Sequence, residues 1–216
     1  TTDKFKRAAR TSTVLFFLFM LLHQTDKLLI GPLQPQVMET FNMTYTQWGL
    51  INTGALLVGA ILYPVWGWLN DRYNRGKLLA LASFIWGSTT WLSSIVKTFP
   101  GFLAARSSTG IDDSSYPGMM SLLADYYPPS KRGRIFGTMQ LTGPIGYLLG
   151  MVLALVLGGM IGWRSIFVIT GMLGILLAIA IFFGVKDVPR GSSEAELKGV
   201  ETSKYKFSWQ TALSIF

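Results

Sequence analysis

Six runs of about twenty residues, each with few or no charges, constrain this chain more than anything else in it. They lie at about 12–37, 47–70, 78–96, 102–127, 135–161 and 163–185, with short polar segments between them. A run of about 20 apolar residues is what a helix needs to cross a hydrocarbon core of about 30 Å. Lipid cannot hydrogen-bond the backbone, so such a run must be a helix or a strand of a closed barrel. No ten-residue alternation of a barrel strand is visible. The expected fold is therefore an all-α membrane protein built on a bundle of six transmembrane helices. Composition alone would mislead: 216 residues, 50% hydrophobic and 14% charged, could be one or two soluble domains. The segregation of the charges decides against that. The first run is too long, and too polar at its centre, for a cleaved signal peptide.

The net charge of +8 follows from topology and not from nucleic-acid binding. Fifteen of the 19 Lys and Arg residues fall in four segments. These are the start (Lys4, Lys6, Arg7, Arg10), a first basic loop (Arg72, Arg75, Lys77), a second (Lys131, Arg132, Arg134) and the final stretch (Lys186, Arg190, Lys198, Lys204, Lys206). The intervening loops hold only Lys97 and Arg164. By the positive-inside rule, this alternation predicts a multi-pass protein of the cell membrane with a cytoplasmic N-terminus. There is no cysteine, which excludes disulfides, thiol chemistry and Cys metal sites.

Helix breakers punctuate the runs. Gly31, Pro32 and Pro35 interrupt the outer half of the first, and Met38 to Thr46 is expected as an external loop. That loop contains Asn42-Met43-Thr44, an acceptor pattern for N-glycosylation. The fifth run holds Gly137, Gly143, Gly146, Gly150, Gly158 and Gly159, a small-residue series that permits close helix approach. The transmembrane domain is expected over 1–189 and a cytoplasmic linker over 190–206. Residues 207–216 read as the start of a seventh helix, too short to span by itself.

Gly67-Trp68-Leu69-Asn70-Asp71-Arg72-Tyr73-Asn74-Arg75 resembles the loop between the second and third helices of major facilitator superfamily transporters. Asn74 stands where that pattern has a second Gly, and Asn tolerates the left-handed conformation expected there. Asp125 to Arg134, Gly162-Trp163-Arg164 with Phe167, and Val188-Pro189-Arg190-Gly191 are similar to further landmarks of the superfamily, in the same order. Arg106, Gly110, Asp113, Ser115 and Tyr116 resemble the fourth-helix pattern of its spinster-like branch, and Asp26-Lys27 its first-helix Asp-Arg. Lys27 replaces Arg, Asp112 replaces Gly and Asp113 replaces Glu. The resemblance implies an N-terminal six-helix half, with a missing C-terminal half as partner and a solute cavity between the two. It also implies that the glycines of the fifth run, with Gly49, Gly54 and Gly59, face that missing half.

Ionisable residues at bilayer depth cost several kcal/mol unless paired or wetted, so they are candidates for function. The first run offers His23, Asp26 and Lys27, and the fourth Arg106, Asp112 and Asp113. At 100° per residue, His23, Asp26, Ile30 and Gln34 share one stripe, with Lys27 at its edge. Arg106, Gly110, Asp113 and Pro117 share a face of the fourth helix, from which Asp112 turns away. Arg106 and Asp113 are expected about 10 Å apart along the axis, near enough for a direct or water-bridged approach. The two stripes are expected to line a cavity, with Tyr116 beside it. There Lys27 or Arg106 attracts an anionic headgroup, and Asp26 and Asp113 hold protons. The other reading of these charges is ion pairs that only fix helix packing.

Asp71, Arg75 and Asp125, with Gly67 and Arg72, form a second constellation. By resemblance it is a conformational switch that locks the two halves on the cytoplasmic side. The function implied is secondary active transport by alternating access, coupled to protons, of an amphiphilic or anionic organic solute such as a lysophospholipid. The alternative is a half-length membrane module that pairs with partner proteins and transports nothing. No nucleophile–base pair, metal cluster or phosphate loop is visible in the spacing, so neither an enzyme nor a cofactor is expected.

Overall fold

The computed structural model describes residues 2–194. The expected start of a seventh helix over 207–216 lies outside the described residues, and the linker is described only to Glu194. Among the described residues there is no strand. Nine helices occur there in order: α1 (Thr2–Leu29), α2 (Gln34–Phe41), α3 (Tyr45–Arg72), α4 (Arg75–Ile95), α5 (Phe99–Ser107), α6 (Gly110–Asp113), α7 (Tyr116–Tyr126), α8 (Pro129–Gln140) and α9 (Thr142–Gly184). They group into six passes.

The first pass is α1, which bends by 58° into α2 across the turn containing Gly31 and Pro32. Pro35 sits in the first turn of α2, where its missing N–H costs nothing. Thus α2 occupies part of the segment expected as a loop. Asn42 ends it in the left-handed conformation, φ 52°. Thr44 and Gln47 then cap α3 reciprocally, side chain to backbone in both directions. Asn74 caps α4 by accepting the Lys77 N–H, with φ −66° and ψ 114°. The left-handed turn expected at Asn74 is therefore absent: the residue serves as a cap acceptor, with an extended backbone. Thr98 caps α5 in the same manner.

The fourth pass is one helical line tightened at two places. Thr109 N–H donates to Arg106 O, Ile111 to Ser108, Ser115 to Asp112 and Gly118 to Ser115, all three residues back. The second basic loop is mostly helical, since α8 begins at Pro129. The continuous helix α9 hides a reversal at Gly162, whose φ of 74° and ψ of 156° are not helical. Before it, Gly146, Gly150 and Gly158 meet Gln24, Thr25 and Leu33 in parallel order. After it, Gly184 is back beside Leu15 and Thr11. The fifth and sixth passes therefore flank α1 in opposite directions.

Small residues set the close crossings within the bundle. A Cβ on Gly87 would stand 2.7 Å from Gly171 O, and one on Gly171 2.7 Å from Gly87 O. At that separation Ser83 Oγ donates to Gly174 O at 2.9 Å. For part of the series this corrects the expectation that the glycines face a missing half. Gly146 and Gly150 pack on α1, Gly54 on Ser107, and Gly59 on the Gly110 backbone, while Gly49, Gly137, Gly143 and Gly159 meet nothing. Without a hydrophobic drive between helices in lipid, backbone approach is itself the packing force, and these helices use it on one another.

Two large apolar clusters fill most of the bundle, beside a small third one of Trp66, Leu78 and Ala82. One, towards the basic loops, contains Phe16, Phe19, Trp86, Met119, Leu122, Leu123, Tyr126 and Ile181. The other contains Leu29, Leu33, Val37, Trp48, Ile51, Phe102, Trp163 and Phe167. On α1 these clusters are separated by the segment bearing His23, Asp26 and Lys27. The intramembrane charges lie at their junction.

Candidate functional site

Seen along α1, the three charged residues point to two different places. His23 and Lys27, one turn apart, reach the fourth pass at α6. His23 Nε2 lies 2.6 Å from Asp112 Oδ2 and 3.6 Å from Asp113 Oδ1. Lys27 Nζ donates to Asp113 Oδ2 at 2.8 Å. Asp112 is buried at 1% exposure, whereas the Lys27 side chain remains 53% exposed. These residues line a cavity of about 520 Å³ together with Phe19, Met20, Leu56, Tyr63, Tyr116 and Gln140. Tyr116 Oη donates to Gln140 Oε1 at 3.3 Å across it.

The expected phase of the fourth helix is thereby corrected. Asp112 does not turn away: it is the buried partner of His23. The cause is the tightened backbone. Each residue in a 3₁₀ turn advances about 120° in place of about 100°, so the i→i−3 bonds around Ser108 and Asp112 rotate the helix beyond them. Both aspartates swing onto the α1 side. The spacing showed no metal cluster, yet one imidazole and two carboxylates now have ligand atoms within 4.8 Å of one another.

Asp26 goes elsewhere. Its carboxylate is 2% exposed and faces α4 and the sixth pass. Trp86 Nε1 donates to Oδ2 at 3.1 Å, and Thr90 Oγ1 to the same oxygen at 2.9 Å. Thr170 Oγ1 donates to Oδ1 at 2.7 Å. Arg106 Nη1 stands 3.7 Å away, and the guanidinium lies 5.3 Å from the centre of the Phe167 ring. The expected cavity stripes are therefore not what forms. Asp26 and Arg106 are buried together behind the cavity, and Arg106 does not approach Asp113. A stripe of α1 about 100° wide meets two neighbours at this depth, and three donors on α4 and α9 claim Asp26. The threonines and Trp86 were missed by sequence reasoning. Their signal was Trp86 and Thr90 at i and i+4, two hydrogen-bonding side chains on one face of a largely apolar helix. His23, set edge-on to Trp86 at 5.5 Å, touches the indole that serves Asp26.

A second cluster lies at the end of the bundle that carries the basic loops. Arg75 is 1% exposed. Its Nη1 donates to Asp125 Oδ2 at 2.6 Å and to Ser121 Oγ at 3.0 Å. Its backbone N–H donates to Asp187 Oδ2 at 2.8 Å, and Nη2 to Val188 O at 2.7 Å. Asp125 Oδ1 in turn accepts the Gly191 N–H at 2.8 Å. Arg190 donates to Asn70 O, and Arg132 reaches Ser193 and Glu194. The segment after the sixth pass thus crosses the ends of α3, α4 and α7. Of the expected switch residues, Arg75 and Asp125 meet. Asp71 is exposed and has no ion pair among the described residues, and Arg72 instead covers the Trp68 ring at 4.6 Å. Gly67 has open space where its side chain would be. Asp187 was missed, because a lone acid in a basic tail carries no sequence signal.

Residues 15–216 match the Major Facilitator Superfamily. The chain is 28% identical over 194 residues to Protein spinster homolog 1 of Xenopus laevis, covering 88% of this chain and 37% of that protein. It is 29% identical over 198 residues to Protein spinster of Drosophila melanogaster, covering 91% of this chain and 32% of that protein. It therefore spans about a third of the length of these curated relatives. Its fold is similar to that of a bacterial homologue of the human lysosomal transporter spinster, in an inward-facing and unoccupied conformation. There the TM-score is 0.77 at 25% identity, over 86% of this chain and 45% of that one. With six helical passes, a charged centre between two apolar clusters, and a match over nearly the whole sequence, this chain belongs to the Major Facilitator Superfamily.

Proposed function

We propose that this chain is the N-terminal half of a secondary active transporter that works by alternating access. A C-terminal six-helix half would complete it, and the solute would be an amphiphilic or anionic organic molecule such as a lysophospholipid. The observation that carries this reading is the cavity of about 520 Å³ on the bundle. Its buried end bears His23, Asp112, Asp113 and the exposed Lys27 ammonium, while Phe19, Met20, Leu56 and Tyr63 make its walls apolar. An ionised headgroup on an apolar chain satisfies both kinds of surface. The similarity to spinster proteins, and to a bacterial homologue of the human lysosomal transporter spinster, supports the same class.

Coupling to protons is part of the proposal, since titratable groups at bilayer depth are the usual carriers. His23, Asp113 and Tyr116 line the cavity wall where a solute would bind. The Asp26–Arg106 pair lies one side chain deeper, behind Trp86, where a change in the helix packing would reach it. The collection of basic residues at one end of the bundle supports a cytoplasmic N-terminus in a cell membrane. Arg75, Asp125 and Asp187 would hold the cytoplasmic end of this half rigid as it rocks, with Asp71 placed to meet the partner half.

The test is uptake of a fluorescent lysophospholipid by the full-length protein in liposomes under an imposed pH gradient. Uptake should depend on the gradient and fall about tenfold or more in Lys27→Ala, which removes the cavity's exposed cation. Equal uptake with and without the gradient would end the coupling claim. Absence of uptake of any anionic amphiphile would end the transport claim.

A further inference from the structure

The buried end of the cavity has more acceptor capacity than its own donors can fill. Asp112 Oδ2 takes His23, but Asp112 Oδ1 has no hydrogen-bond partner among the described residues and is inaccessible to solvent. Asp113 Oδ2 takes Lys27, and Asp113 Oδ1 stands 3.6 Å from the same imidazole nitrogen that faces Asp112. One nitrogen cannot give a proton to both carboxylates. A buried carboxylate oxygen without a partner is costly, and buried charges normally pair or coordinate a metal.

We propose that His23, Asp112 and Asp113 form a binding site for a divalent first-row transition cation, which competes with the Lys27 ammonium for Asp113. The donor set is one imidazole nitrogen and two carboxylates. Imidazole favours Co²⁺, Ni²⁺ or Zn²⁺ over Mg²⁺ or Ca²⁺, which prefer oxygen alone. With His23 neutral, as a metal ligand must be, two carboxylates and one ammonium sum to −1, a charge that a divalent cation would balance. Ligands at about 2.0–2.2 Å from a tetrahedral metal are about 3.3–3.6 Å from one another. His23 and Asp112 at 2.6 Å must part slightly, and Asp113 must draw in from a spread of up to 4.8 Å. The more exposed members can do this. The Asp113 side chain is 23% exposed and that of Lys27 53%, whereas His23 is held between the Phe19 and Trp86 rings. The orphan Oδ1 of Asp112 belongs to the same carboxylate and would gain a partner if that carboxylate bound the metal through both oxygens. Asp26 is not available, because Trp86, Thr90 and Thr170 already occupy its oxygens.

This site does not depend on the transport reading, and binding tests it without flux. The full-length protein in detergent is titrated with Co²⁺ and followed by its visible d–d absorption. One site per chain is expected, weakened about tenfold or more in His23→Gln and in Asp113→Asn. Lys27→Met keeps all three ligands and removes the competing cation, so its affinity should rise about tenfold. That gain cannot arise from misfolding, and it keeps the test decisive if either ligand variant fails to fold. A purely structural Lys27–Asp113 bridge predicts the opposite: Lys27→Met would weaken the fold and leave Co²⁺ affinity unchanged. Unchanged affinity there, binding that survives His23→Gln and Asp113→Asn, or no saturable site in the wild type would each overturn the proposal.

Discussion

Asp26→Asn gives the clearest measure of the role of the buried charge pair. The change keeps size and shape and removes the negative charge 3.7 Å from Arg106, which is itself 5% exposed. Arg106 Nη1 already lacks a hydrogen-bond partner among the described residues, so Asp26 compensates it by charge alone. Leaving one member of a buried pair uncompensated costs about 3–5 kcal/mol. The three bonds from Trp86, Thr90 and Thr170 are disturbed too, at about 0.6 kcal/mol each by the usual magnitude inside membranes. One amide oxygen cannot replace two carboxylate oxygens. The single variant should therefore lose about 3–5 kcal/mol in reversible unfolding in mixed micelles. Arg106→Leu should lose a comparable amount, but the double variant should lose less than the sum, with a coupling of about 2 kcal/mol. Additive losses would refute the reasoning, as would a single variant within about 1 kcal/mol of wild type. Asp26 would then be a solvated cavity group, as its place on the α1 sequence first suggested.

The same packing sets further expectations. Asp125→Asn should cost about 1–3 kcal/mol by weakening the charge-assisted bond to Arg75, with Asp187 retained, whereas exposed Asp71→Asn should stay within about 0.5 kcal/mol. Thermal unfolding of the two variants side by side checks this. Gly87→Leu or Gly171→Leu forces a side chain into facing backbone and should cost at least about 1–3 kcal/mol, while Gly143→Ala, with open space, should be silent in the same assay. Single cysteines at Asn74 and Ser130 lie at the same end of the bundle in a chain with no other cysteine. An impermeant thiol reagent should label both from the same side of the membrane, and labelling from opposite sides would contradict the six-pass arrangement.

The sequence by itself determined the passes, their order, and the end where the basic residues collect. The reason is that lipid imposes a fixed length of apolar helix and leaves loops as the only place for charge. It also located the charged segments of the first and fourth passes, since an ionisable residue in an apolar run stands out without knowledge of its neighbours. Caps are equally local but went unread: Thr44, Asn74 and Thr98 each act within three residues of themselves, yet Asn74 was expected in a left-handed turn.

Partnership was another matter. That Asp26 meets Thr170, 144 residues away, depends on which neighbour α1 presents at that depth. That Asp112 meets His23 depends on two tightened turns whose rotation no fixed 100° step can anticipate. The glycines were visible, but not their direction, because a small residue admits any close surface equally. Gly146 could have served a missing half, and the bundle gave it α1 instead. In a membrane the pattern of polarity is written along the chain, whereas the pairing of buried charges is decided by which helices touch.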